Sequence, residues 1–300
     1  MSVDSEEGTT KADDDASLFL QHLPTDTPVY SFKEWQKEEG RRVFPENNNF
    51  VIIKNVPPAA LDKNKFLGKI DYSRTSKVLI LRMPAEIHET AADNFGALVV
   101  LIADRMRVRR RIAHRGSTRT NTKLRSKESD RSWAPAYRPG QTYREWPTVA
   151  LEVGNSESKA KLMGDITWWL NQSNGQVQQG IIIDIKREFG NVYISSWVAP
   201  NVVAQPAAPG GPVPVTPIQP RQNLEAVFKR GPNGRDPLIE GDDITIPFAS
   251  LVGENPGQGE GDFVFTKGLL RTEVVEPIWQ ALDAKKLQEA DKKKGEKKRD

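Results

Sequence analysis

The stretch Trp146–Ser158, WPTVALEVGNSES, carries a carboxylate in the middle of what reads as a buried strand. Side chains alternate along a strand, so Val149, Leu151 and Val153 share one face while Thr148, Ala150, Glu152 and Gly154 share the other. Glu152 therefore projects from the face with the smallest residues. An ionised carboxylate buried there needs a partner. Its small neighbours leave room for a metal ion or a polar ligand, and the competing reading is an ordinary half-exposed strand glutamate.

The elements on either side predict an α/β (α+β) chain. Lys77–Met83, KVLILRM, alternates like a strand, and Pro84 stands where a helix would begin. Ile87, Ala91, Phe95, Leu98, Val99, Ile102 and Met106 then recur at helical spacing. An arginine-dense stretch leads to a short strand within Ser129–Gly140, SDRSWAPAYRPG, and then to the strand of Glu152. A helix is expected from about Glu157 to Gln172, with Ser156 as N-cap and Leu162, Ile166, Trp169 and Leu170 facing inward. The runs QQGIIIDIKRE and NVYISSWV read as two more strands joined through FGN. The resulting order is helix, three strands, helix, strand, with one more strand behind.

Composition sets the frame around this core. The chain has 300 residues, 37% hydrophobic and 28% charged, enough for one sizeable globular domain with decorated ends. It contains no cysteine, which excludes disulfides, thiolate zinc sites and cysteine nucleophiles, and its three histidines leave oxygen as the main metal donor. The N-terminus has no basic region followed by an apolar one, and nothing approaches the ~20 apolar residues of a membrane span. The expectation is an intracellular protein, nuclear or cytoplasmic, neither secreted nor membrane-bound, with no oligomeric state indicated. The net charge is only +3, so charge placement matters more than charge balance. Residues 1–17 read as a disordered acidic tail, 18–76 as an N-terminal extension and 77–200 as the core. A Pro/Gly-rich linker loop is expected over 201–220, C-terminal strands and a helix over 221–282, and a basic tail over 283–300. That tail suits a nuclear-import signal, a nucleic-acid contact, or a solvated helical end.

A second acid completes a candidate site. Asp130 lies at the end of the strand before that of Glu152, and neighbouring strands can bring the two carboxylates together. Oxygen ligands with retained waters suit Mg²⁺ (or Mn²⁺), which polarises a phosphoryl oxygen and activates a bound water. Lys159 and Lys161 are the nearest cations to steady the developing charge, although Lys161 and Asp165, four apart, also fit an exposed ion pair. Upstream, Glu86, His88 and Glu89 open the first helix; Glu89 or Glu86 could extend a metal site, or simply favour the helix dipole. Arg105, Arg107, Arg109, Arg110, Arg111 and Arg115 could hold phosphates without reading bases, or form a solvated helix end and loop. Trp133, Trp146, Trp168, Trp169 and Trp197 read chiefly as packing residues, with base stacking the lesser reading.

The element order, the Asp130 and Glu152 pair, WPTVALEVGNSES, LMGDITWWLNQSNGQV and ILRMPAEIHETAADNF together resemble the PD-(D/E)XK nuclease superfamily. The resemblance is to its restriction-endonuclease-like branch, particularly the fungal members, and extends from about Lys77 to Val198. It implies a mixed central sheet flanked by helices in the order αβββαβ, with C-terminal strands and a helix beyond. The implied function is Mg²⁺-dependent endonucleolytic hydrolysis of phosphodiester bonds in nucleic acid, DNA foremost. Asp130 and Glu152 would be the acidic ligands, with Glu89 assisting. The chain departs from the pattern at Gly154, where the family has a lysine, and at Ser129, where it has a proline. Lys161 or Lys159 would then supply the cation from the following helix. The missing lysine equally fits a catalytically inactive relative acting as a nucleic-acid or protein binding module, and a purely structural interaction protein is a third reading.

Overall fold

The computed structural model describes residues 14–37, 49–63, 66–137, 146–155, 158–200, 219–231 and 236–296. Most of the expected 1–17 tail and of the 201–220 linker lies outside the described residues, as do Ser156, Glu157 and the last four residues of the basic tail. Contacts divide the chain into two units, residues 1–85 with 117–129, and 86–116 with 130–300.

The first unit is built on a sheet where the sequence suggested an extension. Strands β1 (Val29–Ser31), β2 (Phe50–Lys54), β3 (Lys69–Ser73) and β4 (Val78–Arg82) come first in the chain. The chain then enters the second unit, which includes β5 (Ile112–His114), and returns for β6 (Arg119–Asn121) and β7 (Arg125–Glu128). The sheet order is β1-β2-β4-β3-β7-β6, parallel only between β1 and β2. Continuous apolar runs, FVIIK and VLILR, make β2 and β4 central strands. The polar strands β6 and β7 are held by charge: Arg125 grips both oxygens of Asp71 on β3, at 2.6 and 2.5 Å, and Arg119 Nε donates to Glu128 at 3.1 Å. Helices α1 (14–20), α2 (Phe32–Lys37) and α3 (Ala60–Lys63) belong to the same unit. Thus residues 14–17 of the expected acidic tail are helical, and the strand expected at Lys77–Met83 is β4 of this sheet rather than the first strand of the other unit.

The second unit realises the αβββαβ order. Helix α4 (Glu86–Arg105) is followed by β5, β8 (Arg131–Pro135), β9 (Val149–Asn155), helix α5 (Lys159–Gln172) and β10 (Gln179–Lys186). Then come β11 (Asn191–Val198), β12 (Arg221–Lys229) and β13 (Leu238–Gly241). They form one mixed sheet, β13-β12-β11-β10-β9-β8-β5, whose single parallel pair is β9–β10, as the intervening α5 requires. β10 and β11 are the expected hairpin, closed by Gly190 at φ 71°.

Each face of that sheet has its own core. On one, Val149, Leu151, Val153, Ile181, Ile183 and Ile185 pack with Ile87, Phe95, Leu98 and Val99 of α4. That core continues into the C-terminal elements: the pair β14 (Ile244–Ile246) and β15 (Phe263–Phe265), helices α6 (Phe248–Val252) and α7 (Lys267–Leu270), a π turn over Arg271–Val275, and α8 (Glu276–Glu296). Phe95 stacks on Phe265 at 4.9 Å, and Trp279 of α8 donates its indole N–H to Gly190 O at 2.6 Å. The basic tail expected from residue 283 is therefore a continuation of α8 as far as Glu296.

On the opposite face, α5 lies against Ala150 and Ile182 through Leu162, Ile166, Trp169 and Leu170. Its N-cap is Ser158, whose hydroxyl accepts from Lys161 N, so the helix starts later than the sequence indicated. Two glycines permit its close approach. A Cβ at Gly154 would come within 2.5 Å of Leu162 Cδ1, and one at Gly180 within 2.8 Å of Ile166 Cδ1. Leu162 and Ile166 are one turn apart and sink into these two gaps. Gly154→Ala is expected to lower stability by about 1–3 kcal/mol through overpacking. Leu162→Ala in the same chain should offset part of that loss, leaving a coupling of about 0.5–3 kcal/mol in urea denaturation; strictly additive losses would contradict this packing.

Candidate functional site

Strand β8 pairs with β9 through Arg131 opposite Leu151 and Ser132 opposite Ala150. Asp130 N extends the ladder by donating to Leu151 O at 3.0 Å, which brings Asp130 next to Glu152 along the strand pair. The expected meeting of these acids from distant sequence positions is thus present in the backbone.

Their carboxylates are engaged separately. Asp130 is fully buried, and its Oδ2 accepts from Val153 N at 2.7 Å, taking the place of a backbone carbonyl just before β8 begins. The same oxygen lies 2.9 Å from Nε2 of His88, buried in the first turn of α4. With an ionised carboxylate as acceptor, Nε2 carries the proton. Glu152 is also fully buried, and its Oε1 accepts from the indole N–H of Trp169 on α5 at 2.6 Å. One acid therefore ties β9 to α4 and the other ties it to α5.

The remaining candidates are spread around this pair. Glu89, about one-third exposed, stands 3.5 Å from His88 Nδ1 and 3.5 Å from Arg131, which also bonds Asp93. Glu86 opens α4 and is exposed. Lys161 pairs with Asp165 at 2.6 Å; the pair has the expected i,i+4 spacing, but it is buried rather than exposed. Lys159 is exposed in the first turn of α5. The side chain of Leu162 fills the space above Gly154. Among the described residues, no three His, Cys, Asp or Glu side chains group in a way that could hold a metal ion. Mg²⁺ keeps several waters around an octahedral oxygen shell. Asp130 and Glu152 are shielded from solvent and each has one oxygen engaged in the bonds above, so such a shell would require this arrangement to open.

The arginines sort by exposure. Arg105 ends α4, Arg107 follows with φ 60°, and Arg109 and Arg110 lie in a 3₁₀ turn over Arg109–Arg111; all four are exposed. Arg109 stands 3.4 Å from Asp104, an exposed pair of little strength. Arg111 is committed to the fold, bonding Glu260 at 2.6 Å and Glu254 at 2.7 Å above the Phe248 ring. Arg115 is half-buried, and its backbone N–H donates to Ser132 O. Nearby, His114 Nδ1 accepts from Trp133 Nε1 at 3.2 Å. Burial, with a smaller contribution from the positive charge of Arg109, holds the His114 pKa below its ordinary value.

Comparison with known proteins gives little more. No known family and no curated protein matches the chain. Among solved structures it is similar to a candidate nuclease of the DUF820 family from Anabaena variabilis, with TM-score 0.39 and 14% identity, over 68% of this chain and 90% of that one. That likeness does not single out a fungal branch. No helix among the described residues is long and apolar enough to cross a membrane.

The roles of Trp169 and His88 as partners of the acids were not visible in the sequence. The adjacent WW in a helix and a histidine two residues into the preceding one were the available signals. Removing the acceptor with Asp130→Ala, or the donor with Trp169→Phe, is expected to cost about 1–3 kcal/mol for each hydrogen bond broken. Chemical denaturation would show it, and wild-type stability in both variants would contradict a structural role. His114 adds a pH dependence. Its folded pKa is depressed, so the unfolded chain takes up the proton first, and stability falls as pH drops below about 6.5 toward the folded value. His114→Gln should flatten that part of the stability profile.

Proposed function

We propose that this chain binds nucleic acid along its phosphate backbone, and that Asp130 and Glu152 maintain the fold on which the binding surface is mounted. The observation that carries this reading is the exposed group Arg105, Arg107, Arg109 and Arg110, carried on the last residue of α4, the turn after it and the 3₁₀ turn behind that. Guanidinium groups grip phosphate in a bidentate manner and release counterions on doing so. Four on one short segment give affinity without base readout. Exposed lysines on α8, among them Lys286, Lys292 and Lys294, add to the same electrostatic attraction.

Mg²⁺-dependent phosphodiester hydrolysis is the second reading, favoured by the adjacency of Asp130 and Glu152 on the β8–β9 pair. It requires both carboxylates to leave their present donors, with Lys159 as the accessible cation.

Fluorescence anisotropy against labelled single- and double-stranded oligonucleotides, over a range of salt, tests the first reading. Log affinity should fall linearly with log salt, with a slope of roughly 0.7–0.9 per phosphate contacted. Changing Arg105, Arg107, Arg109 and Arg110 together to Gln should reduce that slope by about 3. An unchanged slope would refute the proposed surface. In a parallel cleavage assay with Mg²⁺ or Mn²⁺ no turnover is expected; metal-dependent cleavage abolished by Glu152→Gln would establish hydrolysis instead.

A further inference from the structure

Beyond the edge of α5, the same face of the large sheet opens into a cavity of about 120 Å³. Lys159, Leu162, Ile182, Asp184, Tyr193 and Trp197 contribute to its walls, with Ser195 and Glu225. The strand register explains the assembly. Asp184 lies opposite Gly154 on one side and Tyr193 on the other, while Ser195 lies opposite Ile182 and Glu225. All belong to the second unit and to the face that carries Glu152.

The cavity makes a specific chemical demand. Asp184 is 7% exposed; Oδ2 is held by Lys186 at 2.8 Å, while Oδ1 has no hydrogen-bond partner. A shielded carboxylate oxygen in that state is costly until a donor reaches it. Rotation about the last torsion of an aspartate is soft, so that oxygen can turn to meet an occupant of the cavity. Ser195 Oγ accepts from Trp197 Nε1 at 2.8 Å, which leaves its own proton to donate. The interior thus offers one acceptor and one donor between apolar and aromatic walls. At the rim, Lys159 and Lys186 carry positive charge opposite Glu225.

We propose that this cavity takes a single nucleobase, the unpaired or terminal base of a bound strand, with its phosphate toward Lys159 and Lys186. The occupant must present a donor beside an acceptor, be flat and partly apolar, and carry a negative group on one side. A base on its ribose phosphate has all three properties. The volume is well below the roughly 300–1,000 Å³ of clefts for drug-sized ligands, so one ring system enters and a dinucleotide does not. Tyr193 and Trp197 supply aromatic surface for the base, as in other single-strand sites. This assignment rests on the nucleic-acid reading above, but uses different residues.

The full-length protein titrated calorimetrically with CMP, AMP, cytidine, ribose 5-phosphate and inorganic phosphate tests it. The monophosphates should saturate one site, with ribose 5-phosphate and inorganic phosphate at least tenfold weaker. Asp184→Asn should weaken both CMP and cytidine at least tenfold, whereas Lys159→Gln should weaken CMP and leave cytidine unchanged. A melting temperature retained in both variants would exclude misfolding as the cause; if Asp184→Asn is unstable, the contrast between CMP and cytidine in Lys159→Gln still decides. No saturable binding of monophosphates, equal binding of ribose 5-phosphate, or insensitivity to Asp184→Asn would overturn the proposal. Salt-dependent oligonucleotide binding that survives such a result would leave the arginine surface intact. Mononucleotide binding without it would instead refute that surface.

Discussion

The second unit depends on how closely α5 can approach the sheet. Leu162 and Ile166 occupy the space that side chains at Gly154 and Gly180 would have filled, so at those two points the helix reaches the sheet backbone directly. That approach puts the Trp169 indole within 2.6 Å of Glu152, where its N–H donates to one oxygen of an acid that burial alone would penalise. Trp146 and Trp168 close around Trp169, at 5.9 and 4.8 Å between ring centroids, and exclude water from the bond. The glycine at position 154 is thus tied to packing. A long side chain at position 154 would have to displace Leu162, and with it the helix that covers Glu152.

Asp130 solves a different problem. Strand β8 begins at Arg131, so Val153 N on the longer β9 would face the end of its partner strand; the Asp130 carboxylate accepts that N–H in its place. The second bond, to His88, fixes the first turn of α4 to the same point. One carboxylate therefore terminates a strand and docks a helix. Charge-assisted bonds of this type are among the stronger ones, and they work in the low-dielectric interior, where Asp130 is fully shielded.

How far the sequence was legible follows from which forces act locally. Helix α4 was readable because its apolar stripe repeats over twenty residues, and β9 to β11 because apolar alternation there is long and bounded by turn residues. The sheet of the first unit was not. Its strands have three to five residues, and β6 and β7, RTN and RSKE, have no apolar pattern; β7 is held by an ion pair with distant Asp71, and β6 by one with β7. At the candidate site the register of Asp130 and Glu152 could be anticipated, since strand alternation determines it. The direction of each carboxylate could not, because it is decided by His88 and Trp169, forty-two and seventeen residues away. The expected exposed pair of Lys161 and Asp165 failed for a related reason: spacing gives the pairing, but only the tilt of α5 decides that it is buried.

Glu152 and Asp184 are two buried acids that one helix covers differently. They sit on adjacent strands and the same face, two residues apart in register. Glu152 lies under the body of α5, where the Trp169 indole donates to its Oε1. Asp184 lies past the first turn of that helix, where Leu162 forms a wall rather than a lid, and one of its oxygens still lacks a donor. Burial stabilises an acid only when the fold also supplies its hydrogen bonds. Where the fold stops short, the uncompensated oxygen favours whatever occupant brings the missing donor. On the proposed assignment, the acid that the strand pattern makes most conspicuous holds α5 to the sheet, and the one that meets an occupant stands a strand further along, at the margin of the helix.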